Sequence, residues 1–321
     1  MGEGAPLKAR DLAAILLVIG VWGINFVVMK VGLASFTPFQ LGVGRFLFAF
    51  LPLALVLRPP STRARWVFAF GLTQGIGQFG FLFLALQVGM TAALASVLLQ
   101  TQVFFSAFLG ASLLRERIGT GLKIGMLFAG AGLACFAAQV WQAPANGPVT
   151  GAGLALTLVA AVLWSVSNIV VRKARQEATA FAPLSFVVWS SGVSVLPFAA
   201  LSWLFDPPGA SAKWSQAPWQ GWAAIAFLGW AASDLGYSLW TGLLKRFPAS
   251  RVAPFSLGVP VIGLLAGIAL LHEPVAPLQW FGALFVLAAL ASVMLAGGAA
   301  ALAAWLFSAA ARQRGKAPAG K

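Results

Sequence analysis

Apolar residues run along almost the whole chain in long blocks, without the alternation that marks a half-buried strand. A block of about 20 residues rises about 30 Å as a helix, the thickness of the hydrocarbon core of a bilayer. Inside hydrocarbon a backbone must satisfy its own hydrogen bonds, so blocks of this kind are helices. Ten are read, over 11–31, 38–57, 66–86, 92–114, 119–139, 150–171, 181–203, 220–243, 250–271 and 277–297. Thr37-Pro38, Arg58-Pro59-Pro60, Gly89, Ala143–Pro148, Asp206–Pro218, Lys245–Pro248 and His272–Pro277 supply turn and stop signals between them. The fold class predicted is an all-α membrane protein. The first block is expected to stay as a span, because no small-x-small cleavage site follows it.

Basic residues fix an orientation. With the N-terminus in the cytoplasm, the segments on that side hold Lys8 and Arg10, then Arg58, Arg63 and Arg65, then Arg115, Arg117 and Lys123. They continue with Arg172, Lys173 and Arg175, then Lys245, Arg246 and Arg251, and end with Arg312, Arg314, Lys316 and Lys321. The other side holds Lys30 and Lys213 alone, and Arg45 falls within the second span. Such asymmetry places both termini in the cytoplasm. The apolar stretch Ala299–Ala311 is too short for an eleventh crossing and extends the last helix or lies at the interface.

The chain also repeats itself. Residues 66–139 and 223–296 align at a constant offset of 157, which matches Gly110 with Gly267, Glu116 with Glu273, Gly125 with Gly282 and Phe128 with Phe285. Asn25 and Lys30 recur as Asn168 and Lys173, with Trp22 and Trp164 a turn upstream. Each copy has five spans, an odd number, so the second enters the membrane upside down. The expected organisation is therefore ten transmembrane helices as two inverted five-helix repeats, 1–140 and 150–297, with an apolar then basic cytoplasmic tail over 298–321. Inverted repeats are a signature of secondary transporters, in which two related halves rock about a central site.

Composition narrows the chemistry. The chain is 60% hydrophobic and 9% charged over 321 residues, against about 25% charged in a soluble domain. The formal charge of +14 sits in short loops between spans, a mark of membrane orientation and not of nucleic-acid binding. One cysteine, Cys135, and one histidine, His272, supply neither a disulfide nor a metal cluster. With one acid inside the spans, no catalytic constellation forms, and neither enzyme activity nor a cofactor is expected.

That one acid is Asp234, near the middle of the run Trp222–Leu244, which holds no other charge. A carboxylate at bilayer depth costs on the order of 2.5–3.5 kcal/mol, so it faces protein or water. Trp230, Tyr237 and Thr241 share its helical face. Asp234 is expected to act as a coupling group or as a substrate counter-charge, or to be satisfied between packed helices. Gln74 and Gln78 line one face of span three, and Gln100 follows Ser96 by one turn in span four. Trp22 and Asn25 in span one, Trp164, Ser167 and Asn168 in span six, and Tyr237 in span eight add further donors, acceptors and rings. Amides and hydroxyls can serve a zwitterion without the desolvation cost of full charges. They can equally tie helices together. Substrate binding is expected of Trp22, Asn25, Gln78, Gln100, Trp164, Asn168 and Tyr237. Structural roles are expected of Arg45, Glu116 and Glu273, although Arg45 can equally attract an anionic substrate group.

Several strings carry a family likeness. They are Trp22–Gly32, Gln78–Phe83, Ala93–Gln102 with Phe104-Phe105, Gly236-Tyr237 with Trp240, and Arg251–Pro254 followed by Pro260-Val261. In this order, over about 11–297, the chain resembles the EamA-type branch of the drug/metabolite transporter superfamily, with its exporters of O-acetylserine and cysteine as the nearest likeness. The resemblance implies a multi-pass protein of the bacterial cytoplasmic (inner) membrane that exports small polar metabolites, amino acids or their derivatives, without ATP hydrolysis. The partners it implies are a small-molecule substrate and the lipid bilayer, with protons as a possible coupling ion. Efflux of cationic or aromatic drugs, with Asp234 as counter-ion and Trp22, Trp164 and Trp240 as stacking surfaces, is the second reading. A membrane subunit whose polar residues only pack helices is the third.

Overall fold

A computed structural model describes residues 7–114, 119–142, 147–247 and 249–314, without the side chains of 114, 249, 250, 253 and 296–314. Helices account for the regular structure, and no strand occurs among the described residues. We label them α1 (Ala9–Ser35), α2 (Pro38–Ala54), α3 (Ala64–Val88), α4 (Ala92–Leu113), α5 (Thr120–Gln142), α6 (Gly151–Glu177), α7 (Pro183–Phe205), α8 (residues 219–246), α9 (residues 249–271) and α10 (Pro277–Arg314). Eight described helices are long and apolar enough to cross a membrane. Pro38–Ala54 is apolar but shorter, and 219–246, which carries Asp234 with several Trp and Gly residues, is not among the eight.

Sequence explains where the helices start. Thr37 accepts from the Gln40 backbone, Gln40 reaches back to the Thr37 N–H, and Pro38 fills the first helical position of α2. Thr91 and Thr150 cap α4 and α6 in the same way, each accepting from the backbone N–H three residues on. The last helix runs on to Arg314, so the backbone of 298–314 extends it as one of the two expected forms of the tail. Glu116 lies outside the described residues.

Packing follows the repeat. The first helix of the leading half, α1, packs against α8 and α9 of the other half. Correspondingly, α6 packs against α3 and α4. Equivalent helices pair with each other, α2 with α7 and α5 with α10. Glycines make the approaches close: a Cβ on Gly132 of α5 would stand 2.9 Å from the Gly282 carbonyl oxygen of α10. Small residues at such crossings are how membrane helices come together without a hydrophobic driving force between them.

Irregular turns recur at matching places. Gly71–Gly80 in α3 and Phe227–Leu235 in α8 are π-helical, and at the offset of 157 they overlap. Leu99–Thr101 in α4 and Ala253–Leu257 in α9 are 3-10 turns, and these also fall together. Pro254 opens the second of these turns, whereas α4 makes its own without a proline.

Candidate functional site

Two polar groups occupy the middle of the bundle, each built on a π-helical segment. In the first, the Arg45 guanidinium reaches from α2 to the Asn25 Oδ1 of α1 and the Ser233 Oγ of α8, at 3.4 Å each. These are long contacts for hydrogen bonds. Its planar group lies 3.8 Å from the ring centroid of Phe79 on α3, a cation–π arrangement. Arg45 is 3% exposed and its Nε has no hydrogen-bond partner. Ser233 also donates to the Leu228 carbonyl five residues back, the reach that a π turn provides.

Asp234 follows Ser233 in the same segment. It is 7% exposed, its Oδ1 has no hydrogen-bond partner, and it makes no ion pair among the described residues. The same segment borders an aromatic group. Trp22 donates its indole N–H to the Ala232 carbonyl at 2.9 Å, and its ring lies 5.5 Å from Tyr237 and 5.6 Å from Trp240. A Cβ on Gly236 would stand 2.5 Å from Trp22 Nε1, so only glycine admits the indole there. Trp230 takes no part in this wall: it is 48% exposed and stacks on Phe48 at 5.1 Å. A π segment fits more residues into each turn than an α-helix, which rotates Trp230 away from the face that α-helical spacing assigns it.

The second group is neutral. Gln74 donates to Gln78 at 2.8 Å and accepts from Ser167 of α6, whose hydroxyl also reaches the Trp164 carbonyl. Gln74, Gln78 and Ser167 are buried, and Trp164 is half-buried against the apolar core. Asn168 belongs to a neighbouring seam. It donates to Gln102 at 2.9 Å and to Ser106 at 3.1 Å, while Ser165 donates to the Gln102 carbonyl at 3.0 Å, which binds α4 to α6. Gln100, in the 3-10 turn of α4, is half-buried, and its side chain makes no hydrogen bond to a described residue.

The structure thus joins Arg45 to Asn25 and Trp22 to Tyr237, both against the π segment of α8 that carries Asp234, whose carboxylate touches none of them by a hydrogen bond or ion pair. Gln78 and Trp164 lie with the amide group, and Asn168 lies in the helix seam. Phe79 and Ser233 were not singled out by sequence reasoning. Their one sequence signal is adjacency to Gln78 and Asp234. Glu273 is elsewhere: its carboxylate accepts from the Ala92 and Ala93 N–H groups at 2.8 Å each, at the start of α4. An apolar groove of about 140 Å³ at the α3–α4–α6 contact is lined by Trp66, Leu109, Leu113, Val166, Ile169, Val170 and Lys173, none of them among the polar groups. Among the described residues no cluster of three or more His, Cys, Asp or Glu is placed to hold a metal.

An apolar helical bundle with matched helix irregularities and polar groups buried between its helices has the make-up of a membrane transporter. Comparison gives the family: residues 10–138 and 151–295 each match the EamA-like transporter family, and the chain belongs to it. It is 37% identical over 288 residues to a probable amino-acid metabolite efflux pump of Salmonella typhimurium, covering 88% of this chain and 94% of that one. To the protein of the same description in Escherichia coli K12 it is 36% identical over 287 residues, with the same coverage. A probable terminal-alkyne amino-acid exporter of Streptantibioticus cattleyicolor is 25% identical over 280 residues, covering 85% of this chain and 90% of that one. One solved structure superposes with a TM-score of 0.57 at 19% identity, covering 90% of this chain and 98% of that one, a likeness of fold alone.

Proposed function

We propose that the protein exports a small amino-acid metabolite, such as cysteine or O-acetylserine, across the bacterial cytoplasmic membrane by alternating access between two inverted five-helix halves. The observation that carries this reading is the buried contact of Arg45 with Asn25 and Ser233, together with the buried carboxylate of Asp234 on the residue that follows Ser233. There, polar side chains from both halves meet, with hydrogen-bonding capacity left over on Arg45 and on Asp234. A packing role alone leaves no reason to bury such atoms unpaired. The names of the bacterial relatives support the substrate class.

Ten crossings are part of this proposal, with both termini in the cytoplasm. Contacts between loops support the alternation it requires. Asp11 at the start of α1 pairs with Arg246 at the end of α8, and Arg65 at the start of α3 pairs with Glu177 at the end of α6. All four residues fall on the side assigned to the cytoplasm. Thr37 donates to Asp206 at 2.7 Å, and Glu273 caps α4, on the opposite side. Matching π and 3-10 turns support two related halves that move against each other. Asp234 offers a group that takes a proton from the outer side and releases it inward, which couples export to the proton gradient.

Overproduction in cells that accumulate O-acetylserine and cysteine tests the substrate class. Export raises both compounds in the medium. Resistance to cationic dyes with no change in external amino acids favours drug efflux instead.

A further inference from the structure

We propose that the apolar groove between α3, α4 and α6 binds an anionic phospholipid of the surrounding bilayer, an acyl chain lying in the groove and the phosphate resting on Lys173. All three helices are among those long and apolar enough to cross a membrane. The groove, of about 140 Å³, lies at their surface, where Phe108 and Leu113 of α4 are 58% and 63% exposed. Lipid is therefore what meets it. Its walls are Leu109 and Leu113 of α4 and Val166, Ile169 and Val170 of α6, and its two polar side chains are Trp66 and Lys173. Trp66 is the third residue of α3, and Lys173 lies in the closing turns of α6. From Val166 to Lys173 the groove follows α6 for about 10 Å, at 1.5 Å per residue. A lipid presents chemistry in this order, charge at the level of the headgroups and hydrocarbon beneath it. Trp and Lys are the side chains that mark that level.

Charge at the mouth selects an acidic headgroup. The acid beside Trp66 is Glu177, which accepts from the Trp66 indole at 2.9 Å and pairs with Arg65 at 2.7 Å and Arg63 at 3.5 Å. Two arginines against one acid leave the mouth positive before Lys173 is added. Arg65 also lies 4.9 Å from the Trp66 ring centroid, which keeps its charge at the groove. Lys173 is exposed and makes no hydrogen bond or ion pair among the described residues. Basic pockets between membrane helices are where acidic headgroups bind. A polar metabolite fits poorly here, because the walls offer it no hydrogen-bonding group and the indole N–H of Trp66 is already taken.

The repeat separates this role from a structural one. Lys30, the counterpart of Lys173, is half-buried and donates to the Leu86 carbonyl at 2.8 Å, which ties α1 to the end of α3. Lys173 has no such bond and stands outward over an apolar groove instead. The groove also lies across a seam: α3 and α4 fall in the family match over residues 10–138, and α6 falls in the match over 151–295. A lipid seated there touches both.

Native mass spectrometry of the purified full chain, with phosphatidylglycerol, phosphatidylcholine and glycerol 3-phosphate added in turn, tests the site. Phosphatidylglycerol is expected to bind saturably and at least about fivefold more tightly than phosphatidylcholine, the contribution of one lysine at a membrane surface. Glycerol 3-phosphate, which has the phosphate and no acyl chain, should not bind at the same concentrations. Lys173→Gln, a change at an exposed position, should bring phosphatidylglycerol down to the level of phosphatidylcholine, and Lys173→Arg should keep the preference. Val166→Phe, which fills the apolar part, should weaken both lipids alike. Equal binding of the two lipids by the unaltered chain overturns the proposal, and so does a full preference in Lys173→Gln. Glycerol 3-phosphate bound as tightly as the lipid makes the mouth an ion site and overturns the acyl-chain groove. A lipid-free dimer that Val166→Phe dissociates gives the groove to a second copy of the chain and overturns it as well.

Discussion

Glu273 closes the start of the helix that begins at Ala92, its two carboxylate oxygens accepting from the Ala92 and Ala93 N–H groups at 2.8 Å each. An acid that follows the end of α9 thereby neutralises the positive end of α4. Thr91 holds the next free donor of the same turn, Leu94 N. Gly267 lies against the pair: a Cβ there would meet Ala93 N at 2.6 Å and Glu273 Oε2 at 2.7 Å. The contact fastens the start of α4 to the end of α9.

Removing it should loosen the fold and leave substrate recognition alone. Glu273→Ala is expected to lower stability by about 1–2 kcal/mol, the usual cost of an N-cap. Glu273→Gln, which keeps one acceptor oxygen, should cost less. Thermal unfolding in detergent measures both, and an unchanged melting temperature in the Ala variant would remove the cap from the account.

The amides divide by their partners. Gln78→Ala should reduce transport of a polar substrate and leave the yield of folded protein unchanged, because one lost hydrogen bond is worth only about 1 kcal/mol. Flux and the amount of monodisperse protein are read from the same preparation. Loss of folded protein would make Gln78 part of the scaffold that Gln74 and Ser167 form.

Asp234→Asn keeps size and most hydrogen bonding and removes the exchangeable proton. The variant is expected to fold, to exchange a neutral amino acid across a membrane without a gradient, and to lose acceleration by an imposed proton gradient. Initial rates with and without a pH step decide it. Equal acceleration in the Asn variant assigns coupling to another group.

The helices were legible in the sequence, eight of them as candidate spans, because hydropathy and turn residues report on them directly, so α1 begins at Ala9 and α3 at Ala64, within two residues of the expected starts. Asp234 stood out because a single acid in an apolar run has few innocent explanations. The π segments did not stand out, since a run such as Phe227–Leu235 reads equally well at 3.6 or at more residues per turn. Arg45 was visible as a charge in a span, but its setting depends on Asn25, Phe79 and Ser233, which come from three other helices. Asn168 read as a candidate binder by its match to Asn25. Its bonds to Gln102 and Ser106 come from a helix crossing that no spacing along the chain encodes.

Orientation is open to a direct test. A reporter active only in the cytoplasm should work when fused after residue 60, after residue 176 and at the C-terminus, and should be silent after residue 145. Activity at 145 would break the alternation on which the inverted halves depend.

The central claim is export of an amino-acid metabolite, and counterflow in proteoliposomes tests it most directly. Vesicles containing the purified chain and loaded with unlabelled L-cysteine are diluted into a trace of the labelled compound. The account predicts transient accumulation of label that saturates with cysteine, is inhibited by O-acetylserine and is absent from vesicles without protein. Accumulation no greater than in empty vesicles, from a preparation that takes up cationic dyes, would contradict it.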